Sequence, residues 1–292
     1  SGGLVGSEMC IRDRLEAIEE VLAWSAVFNH GLTEEEVHQH LAARATLEEV
    51  KAALETTATA VQTGGRWHLT TFDFDVDVDT ARRQFAQAHL EEVGPVLSQL
   101  AASPTVEAMA ITGSVAAGVN DEDGDVDLLI LTRPGHVWRV RALAIHLQHN
   151  VDDGHRICPN MVLDRSMLDL RRSTYAAREM AMMRPLKGDD ALIELLNANP
   201  WFEEELPNAS MRDRLNLPSP SGGMPWWWSV MRAPVTGRWA ERWEAGRRIR
   251  ELQSASTSHE ATYTKDRCIG HENAHRSRIE GTMAHILAEV RT

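Results

Sequence analysis

The chain is poor in cysteine, in lysine and in long apolar runs. Its three cysteines, Cys10, Cys158 and Cys268, form no CxxC pair and no disulfide spacing. That excludes a disulfide-stapled secreted scaffold and points to a reducing, cytoplasmic compartment. No apolar run approaches the roughly 18 residues of a membrane span. The opening stretch, SGGLVGSEMCIRDR, lacks the basic and apolar regions of a secretory leader. It resembles a tract produced when sequencing-adapter DNA is translated, so residues 1–13 are expected to be a non-native tail. Positive charge is scarce as well. Thirty Lys and Arg stand against 43 Asp and Glu, for a net charge of −13, and lysine occurs only at 51, 187 and 265. A chain this acidic is repelled by polyphosphate, which argues against a broad, non-specific nucleic-acid footprint while leaving a local basic patch open. What is present is an ordinary globular composition, 43% hydrophobic and 25% charged over 292 residues. That length suffices for two or three domains.

Residues 14–71 are expected to form one unit. LEAIEEVLAWSAVF places Leu15, Ile18, Val21, Leu22 and Phe28 at helical spacing. Thr33 with Glu36, and Thr46 with Glu49, are capping boxes that open two further helices, EEEVHQHLAA and LEEVKAALETT. AVQTGGRWHLT then reads as two short strands around Gly64-Gly65. Helix, helix, helix, hairpin is the order of a winged helix, whose third helix would read DNA. Residues 15–71 hold only three basic residues (Arg44, Lys51, Arg66) against nine Glu. That balance argues against DNA binding and for a structural or protein-contact role. FDFDVDVD, residues 72–79, reads as an extended linker with solvated aspartates, Asp79 capping the next helix.

Downstream, a long amphipathic helix is expected over 80–102, kinked at Gly94-Pro95. Strands follow at 106–112, 125–132 and 156–164, with helices from GSVAAGV and over GHVWRVRALAIHLQH between them. MLDLRRSTYAAREMAMMRPL and DALIELLNANPWFEEEL read as helices, 208–235 as loop, and 236–254 and 271–290 as two closing helices.

The chemistry concentrates in TGSVAAGVNDEDGDVDLLIL, residues 112–131, where Asp121, Glu122, Asp123, Asp125 and Asp127 crowd against an aliphatic strand. A strand end runs into Gly113-Ser114, where a helix begins. Helix N-termini bind phosphate, Gly113 permits close backbone approach, and Ser114 adds a hydroxyl. Asp125 and Asp127 are one residue apart on a strand, so both carboxylates share a face. Charges there are costly unless paired or bound to a cation. A phosphate cradle beside two carboxylates suits a divalent cation shared with a nucleoside triphosphate.

A strand, Gly-Ser, a helix and Asp-x-Asp ten residues on resembles the nucleotidyltransferase superfamily related to DNA polymerase β. More widely, HGLTEEEV, ITGSVAAG, GDVDLLIL, HVWRVR, ICPNMVLD, RPLKG, NANPWFEEELPN and CIGHENAHRSRI resemble a bacterial and archaeal family of nucleotidyltransferase-domain proteins. The resemblance spans nearly all of 15–292. It implies an α+β, α-rich fold: a winged-helix domain (14–71), a small mixed-sheet nucleotidyltransferase core (79–200) and a C-terminal helical region (201–292). It also implies transfer of a nucleoside monophosphate from an NTP to an acceptor, which the sequence leaves open as a small molecule, a protein or RNA. Asp125 and Asp127 would coordinate Mg²⁺ or Mn²⁺, Gly113 and Ser114 would grip the triphosphate, and Arg139 and Arg141 would meet phosphate or acceptor. The superfamily supplies a third carboxylate from the next strand. Here that strand is ICPNMVLD, which offers Asn160, a neutral ligand, or Asp164 at its far end, carried as the third metal ligand. If only Asn160 reaches the site, the chain would be a nucleotide-binding regulator with weak catalysis.

A third reading comes from HENAH, residues 271–275, a literal HExxH that would make a zinc metalloprotease. Gly270 precedes it and no third ligand has a familiar spacing, so a closing structural helix is expected there. WWW at 226–228 is expected to plug a gap in the core, and Cys158 to pack rather than act as a nucleophile.

Overall fold

The computed structural model describes residues 2–220, 222–255, 261–270 and 275–291, with the backbone alone at 2–11, 275 and 276. HENAH lies outside the described residues except for His275. The chain begins with α1 (Gly2–Val27), α2 (Glu34–His40), α3 (Leu47–Thr56) and an antiparallel hairpin of β1 (Ala60–Thr63) and β2 (Arg66–Leu69). Both capping boxes form: Thr33 and Glu36, and Thr46 and Glu49, exchange side-chain and backbone hydrogen bonds. A bridge between Leu32 and Trp67 ties the loop after α1 to the hairpin. Val21, Leu22, Val37, Val50, Leu54 and Leu69 fill the core of this unit.

The remaining elements are α4 (Val76–Ala101), β3 (Val106–Thr112), α5 (Gly113–Ala117), β4 (Val126–Thr132), α6 (Val137–Asn150), β5 (Ile157–Asp164), α7 (Thr174–Met182), β6 (Arg184–Lys187), α8 (Asp189–Asn197), α9 (Trp201–Glu205), α10 (Trp226–Met231), α11 (Thr236–Ala255), β7 (Thr262–Tyr263), β8 (Arg267–Ile269) and α12 (His275–Val290). Six strands form one mixed sheet in the order β6-β3-β4-β5-β8-β7, in which only β4 and β5 run parallel. β3 and β4 are apolar on both faces because the sheet is covered on both. Met109, Ile111, Val126, Leu128 and Ile130 join the core beneath α4 and α6, while Ala108, Ala110, Leu129 and Leu131 pack under α8. α12 returns to the first unit, where Met283, Ile286, Leu287 and Val290 pack against its core.

Several boundaries differ from the sequence expectation. Asp75, not Asp79, caps α4, accepting from the N–H groups of Asp77 and Val78. Asp79 lies inside the helix, buried, with Arg83 at 2.7 Å and the Gly31 N–H at 3.3 Å. The helix expected through 167–186 covers only α7, and RPLK becomes the edge strand β6. Pro185 lacks a ladder N–H, which an edge strand tolerates. The helix expected over 190–206 breaks at Asn199-Pro200, where the Asn199 side chain bonds the backbone of Leu170, Leu168 and Leu195. β7 and β8 extend the sheet from the stretch between the two expected closing helices. In the expected loop, α10 seats Trp228 in the main core and leaves Trp226 84% exposed.

Candidate active site

β3 delivers Thr112 opposite Asp127 of β4. The chain then turns at Gly113, whose φ is +65°. A Cβ at Gly113 would stand 2.4 Å from the Asp127 Oδ2. Only glycine therefore lets the carboxylate lie against the backbone here. The Gly113 N–H donates to the Glu179 carboxylate of α7 at 3.2 Å. The Ser114 hydroxyl donates to Asn120 Oδ1 at 3.0 Å, and Asn120 Nδ2 bonds His89 Nδ1 at 2.9 Å and donates to the Asp125 carbonyl at 3.3 Å. Buried Asn120 thus fixes the path from the glycine turn to the aspartates. A Cβ on Gly124 would fall 2.1 Å from its Oδ1, so that loop closes tightly over it.

Asp125 stands just before β4 and is exposed; Asp127, two residues on, is half-buried. Burial pushes the Asp127 carboxyl up to about 6, with the Cys158 thiol hydrogen bond opposing and the Asp125 charge adding. Asp125 is also raised, by partial desolvation of its carboxylate against the pull of Arg156 and His155. Glu179 is pushed up to about 7, first by burial and then by the charge of Asp127, while the Gly113 N–H and Tyr175 hold it down. Three carboxylates are therefore coupled at one strand end, with no basic side chain among the causes acting on Asp127 or Glu179.

Asp127 and Glu179 open into a cleft of about 640 Å³, whose lining does not include Asp125. Gly113, Ser114, Asp127, Arg141, Asn160 and Glu179 line its polar part, and Trp24, Phe28, Leu252 and Tyr263 its apolar part. The Arg141 Nε has no hydrogen-bond partner among the described residues.

Two expected site residues lie elsewhere. Asp164 is at the other end of β5, opposite Thr132, and is buried. Its carboxylate accepts from the Gly135 N–H at 2.7 Å, the Ser166 N–H at 2.9 Å and the Ser166 hydroxyl at 2.7 Å. Five residues of β4 separate that position from Asp127, about 16 Å at strand rise, so the two cannot share a cation. Arg139 is buried against Glu241 at 3.2 Å and donates to the Gly135 carbonyl at 2.8 Å. It clamps α6 to α11 and does not line the cleft. A bulge in β5 explains the rest: Asp127 pairs with Cys158 while Leu129 pairs with Met161. Cys158 therefore takes the place beside Asp127, and Asn160 turns into the cleft. The Cys158 thiol is pushed up to about 12 by burial and by the neighbouring aspartates, so it stays protonated. Glu179 escaped the sequence reading because no spacing motif contains it. The one available signal is a carboxylate inside the otherwise apolar run EMAMM.

Among the described residues no group of three His, Cys, Asp or Glu is arranged to enclose a metal. The donor set still fits Mg²⁺ or Mn²⁺, which take oxygen ligands and are held by one or two carboxylates completed by water and substrate phosphates. Asp127, half-buried and without a cationic partner among the described residues, is a group such an ion would neutralise.

Residues 91–163, about a quarter of the chain, match the family model described as a nucleotidyltransferase domain. The matched segment runs from α4 through β5 and contains the glycine turn and both aspartates. Nucleotidyl transfer is the general chemistry of that domain family. No curated protein and no solved structure matches the chain at a significant level. Among the described residues no helix is long and apolar enough to cross a membrane.

Proposed function

We propose that the protein is a metal-dependent nucleotidyltransferase that moves a nucleoside monophosphate from an NTP to an acceptor and releases pyrophosphate. The observation that carries this reading is Asp127 held against Gly113 with Asp125 beside it and Glu179 coupled to it, at the mouth of a cleft large enough for a nucleotide. Asp125 and Asp127 are the residues that would hold Mg²⁺ or Mn²⁺. Bound there, the ion supplies charge neutralisation to the triphosphate and lowers the pKa of an acceptor hydroxyl. The acceptor oxygen forms its bond to the α-phosphorus as the bond to the bridging oxygen breaks. Gly113 and Ser114 bind the phosphates. A phosphate oxygen that takes the Gly113 N–H releases Glu179, whose carboxylate then stands beside Asp127 and can accept the acceptor's proton. Arg141 offers a cation to phosphate or acceptor, and Trp24, Phe28 and Tyr263 give a base an apolar wall.

The N-terminal unit is read as a winged helix that contacts protein rather than DNA. Two of its three cations are already paired: Lys51 with Glu34 and Glu48, Arg66 with Glu36. In a reducing cytoplasm Cys158 would remain a thiol. A second reading, a nucleotide-binding regulator, is favoured by one observation: Cys158 occupies the strand position beside Asp127 where a third carboxylate was expected.

The test is label transfer from each α-phosphate-labelled NTP with Mg²⁺ or Mn²⁺ and cell extract, beside an Asp125→Ala/Asp127→Ala variant. Label on an acceptor with wild type alone establishes transfer and identifies the acceptor class. Metal-dependent NTP binding without transfer selects the regulator, and neither result sinks both.

A further inference from the structure

The outer face of α11 carries two indoles one turn apart, Trp239 at 72% and Trp243 at 67% exposure. Helical spacing puts Trp239, Trp243, Arg247 and Arg250 on one face, with Arg238 and Arg242 at its edge. The Arg247 guanidinium lies 5.2 Å from the Trp243 ring centroid. The inner face holds the acids instead. Glu241 is buried against Arg139, and Glu244 is buried against Arg247 and Arg248. From 214 to 250 these two are the only acids, against seven arginines, in a chain whose net charge is −13. α10 adds a third exposed indole, Trp226.

We propose that this face binds single-stranded nucleic acid, with bases stacked on Trp239 and Trp243 and phosphates against Arg238, Arg242 and Arg250. Stacking needs a planar ring with one open face, which Trp243 keeps at 67% exposure with Arg247 over the ring, and every base can use it regardless of sequence. The two rings start about 6 Å apart along the axis, from the 1.5 Å rise per residue. The charge is complementary to phosphate: Glu241 and Glu244 are turned inward, and the exposed Glu251 pairs with Arg247 and Arg248, not with Arg238, Arg242 or Arg250. A lipid surface fits less well. An interfacial helix segregates apolar and basic faces, whereas here Arg238 and Arg242 alternate with Trp239 and Trp243, and the exposed aliphatics Val230 and Val235 both precede that stretch. The inference is independent of catalysis, because the binding it describes needs neither NTP nor the cleft.

Fluorescence anisotropy of a labelled oligouridylate of about 12 nucleotides, within the usual site sizes, tests it on the full chain without NTP. Binding should weaken with salt at a log–log slope of about −2, as three phosphate contacts on a single strand give. Trp239→Ala and Trp243→Ala should each weaken it roughly tenfold, as loss of one stacked base does. Arg238→Glu/Arg242→Glu should weaken it and flatten the slope. All four side chains are exposed, and circular dichroism checks that each variant is folded. The proposal is overturned if the folded wild type does not bind, or if the tryptophan variants bind as wild type does. It is equally overturned if polyglutamate of matched charge competes as well as the oligonucleotide, or if phosphatidylserine vesicles bind with the same tryptophan dependence. Failure here leaves the label-transfer result untouched, and the reverse also holds.

Discussion

Asp127→Asn removes a charge and almost nothing else, because the Cys158 thiol can still donate to the remaining amide oxygen. The wild-type carboxyl is raised from its ordinary value of 3.8 to about 6. Between those values the unfolded chain has lost this proton while the folded protein keeps it. Stability therefore falls as pH rises through that window and stays lowered above it. A shift of about two units corresponds to roughly 3 kcal/mol. The side chain is open to the cleft on one side, so solvent screening reduces this to on the order of 1–3 kcal/mol. In chelator at pH 8 the variant should thus be more stable than wild type, and near pH 4 the two should converge. For a protein of this size the gain is about 2–4 °C per kcal/mol in a thermal-shift assay. Mn²⁺ should reverse the order. Saturation to 100 times the dissociation constant stabilises wild type by about 2.7 kcal/mol, and the variant should lose most of that. Lower stability of the variant than of wild type at pH 8 in chelator would falsify the electrostatic reading of Asp127. An unchanged response to Mn²⁺ would remove Asp127 as a ligand.

Gly113→Ala forces a Cβ to 2.4 Å from Asp127 Oδ2 at a φ of +65°. Transfer activity should drop at least tenfold with a stability loss of about 1–2 kcal/mol, read by labelled transfer and denaturant melts on the same preparation. Asp164→Ala leaves the Gly135 and Ser166 donors unpaired and should cost about 2–3 kcal/mol, yet calorimetric Mn²⁺ affinity should not move. A loss of affinity would return Asp164 to the metal site. Glu179→Gln should shift the acid limb of the pH–rate profile, because Glu179 is raised to about 7 next to Asp127. A profile identical to wild type would assign Glu179 a purely structural part.

The elements legible in the sequence were those with a local chemical signature. Thr33 and Thr46 announced their helices because a capping box needs only four residues to specify itself. VEAMAIT and DVDLLILT read as strands because both faces are buried. Gly113, Asp125 and Asp127 lie within one strand–helix–strand and could be seen together. The bulge in β5 could not be seen. One extra residue exchanges which side chain stands beside Asp127, and nothing in ICPNMVLD marks it. Glu179 was invisible for a related reason: its role comes from α7 packing over the turn at Gly113, a contact distant in sequence. β6, β7 and β8 are two to four residues long and are stabilised by the sheet they join, so no local propensity identifies them. Arg139 looked like a phosphate ligand because its partner, Glu241, lies on a helix far along the chain.

The cleft draws its apolar wall from Trp24 and Phe28 of the first unit and from Leu252 and Tyr263 near the other end, while its acids come from the middle. α1 and α12 pack together across the same divide. A ribosome emitting this chain would complete the carboxylate turn long before the second wall existed. The partly synthesised protein would present acids without the enclosure that confines a nucleotide. The same closure means that a nucleotide seated in the cleft would hold both walls at once, acting as a non-covalent clasp against proteolysis.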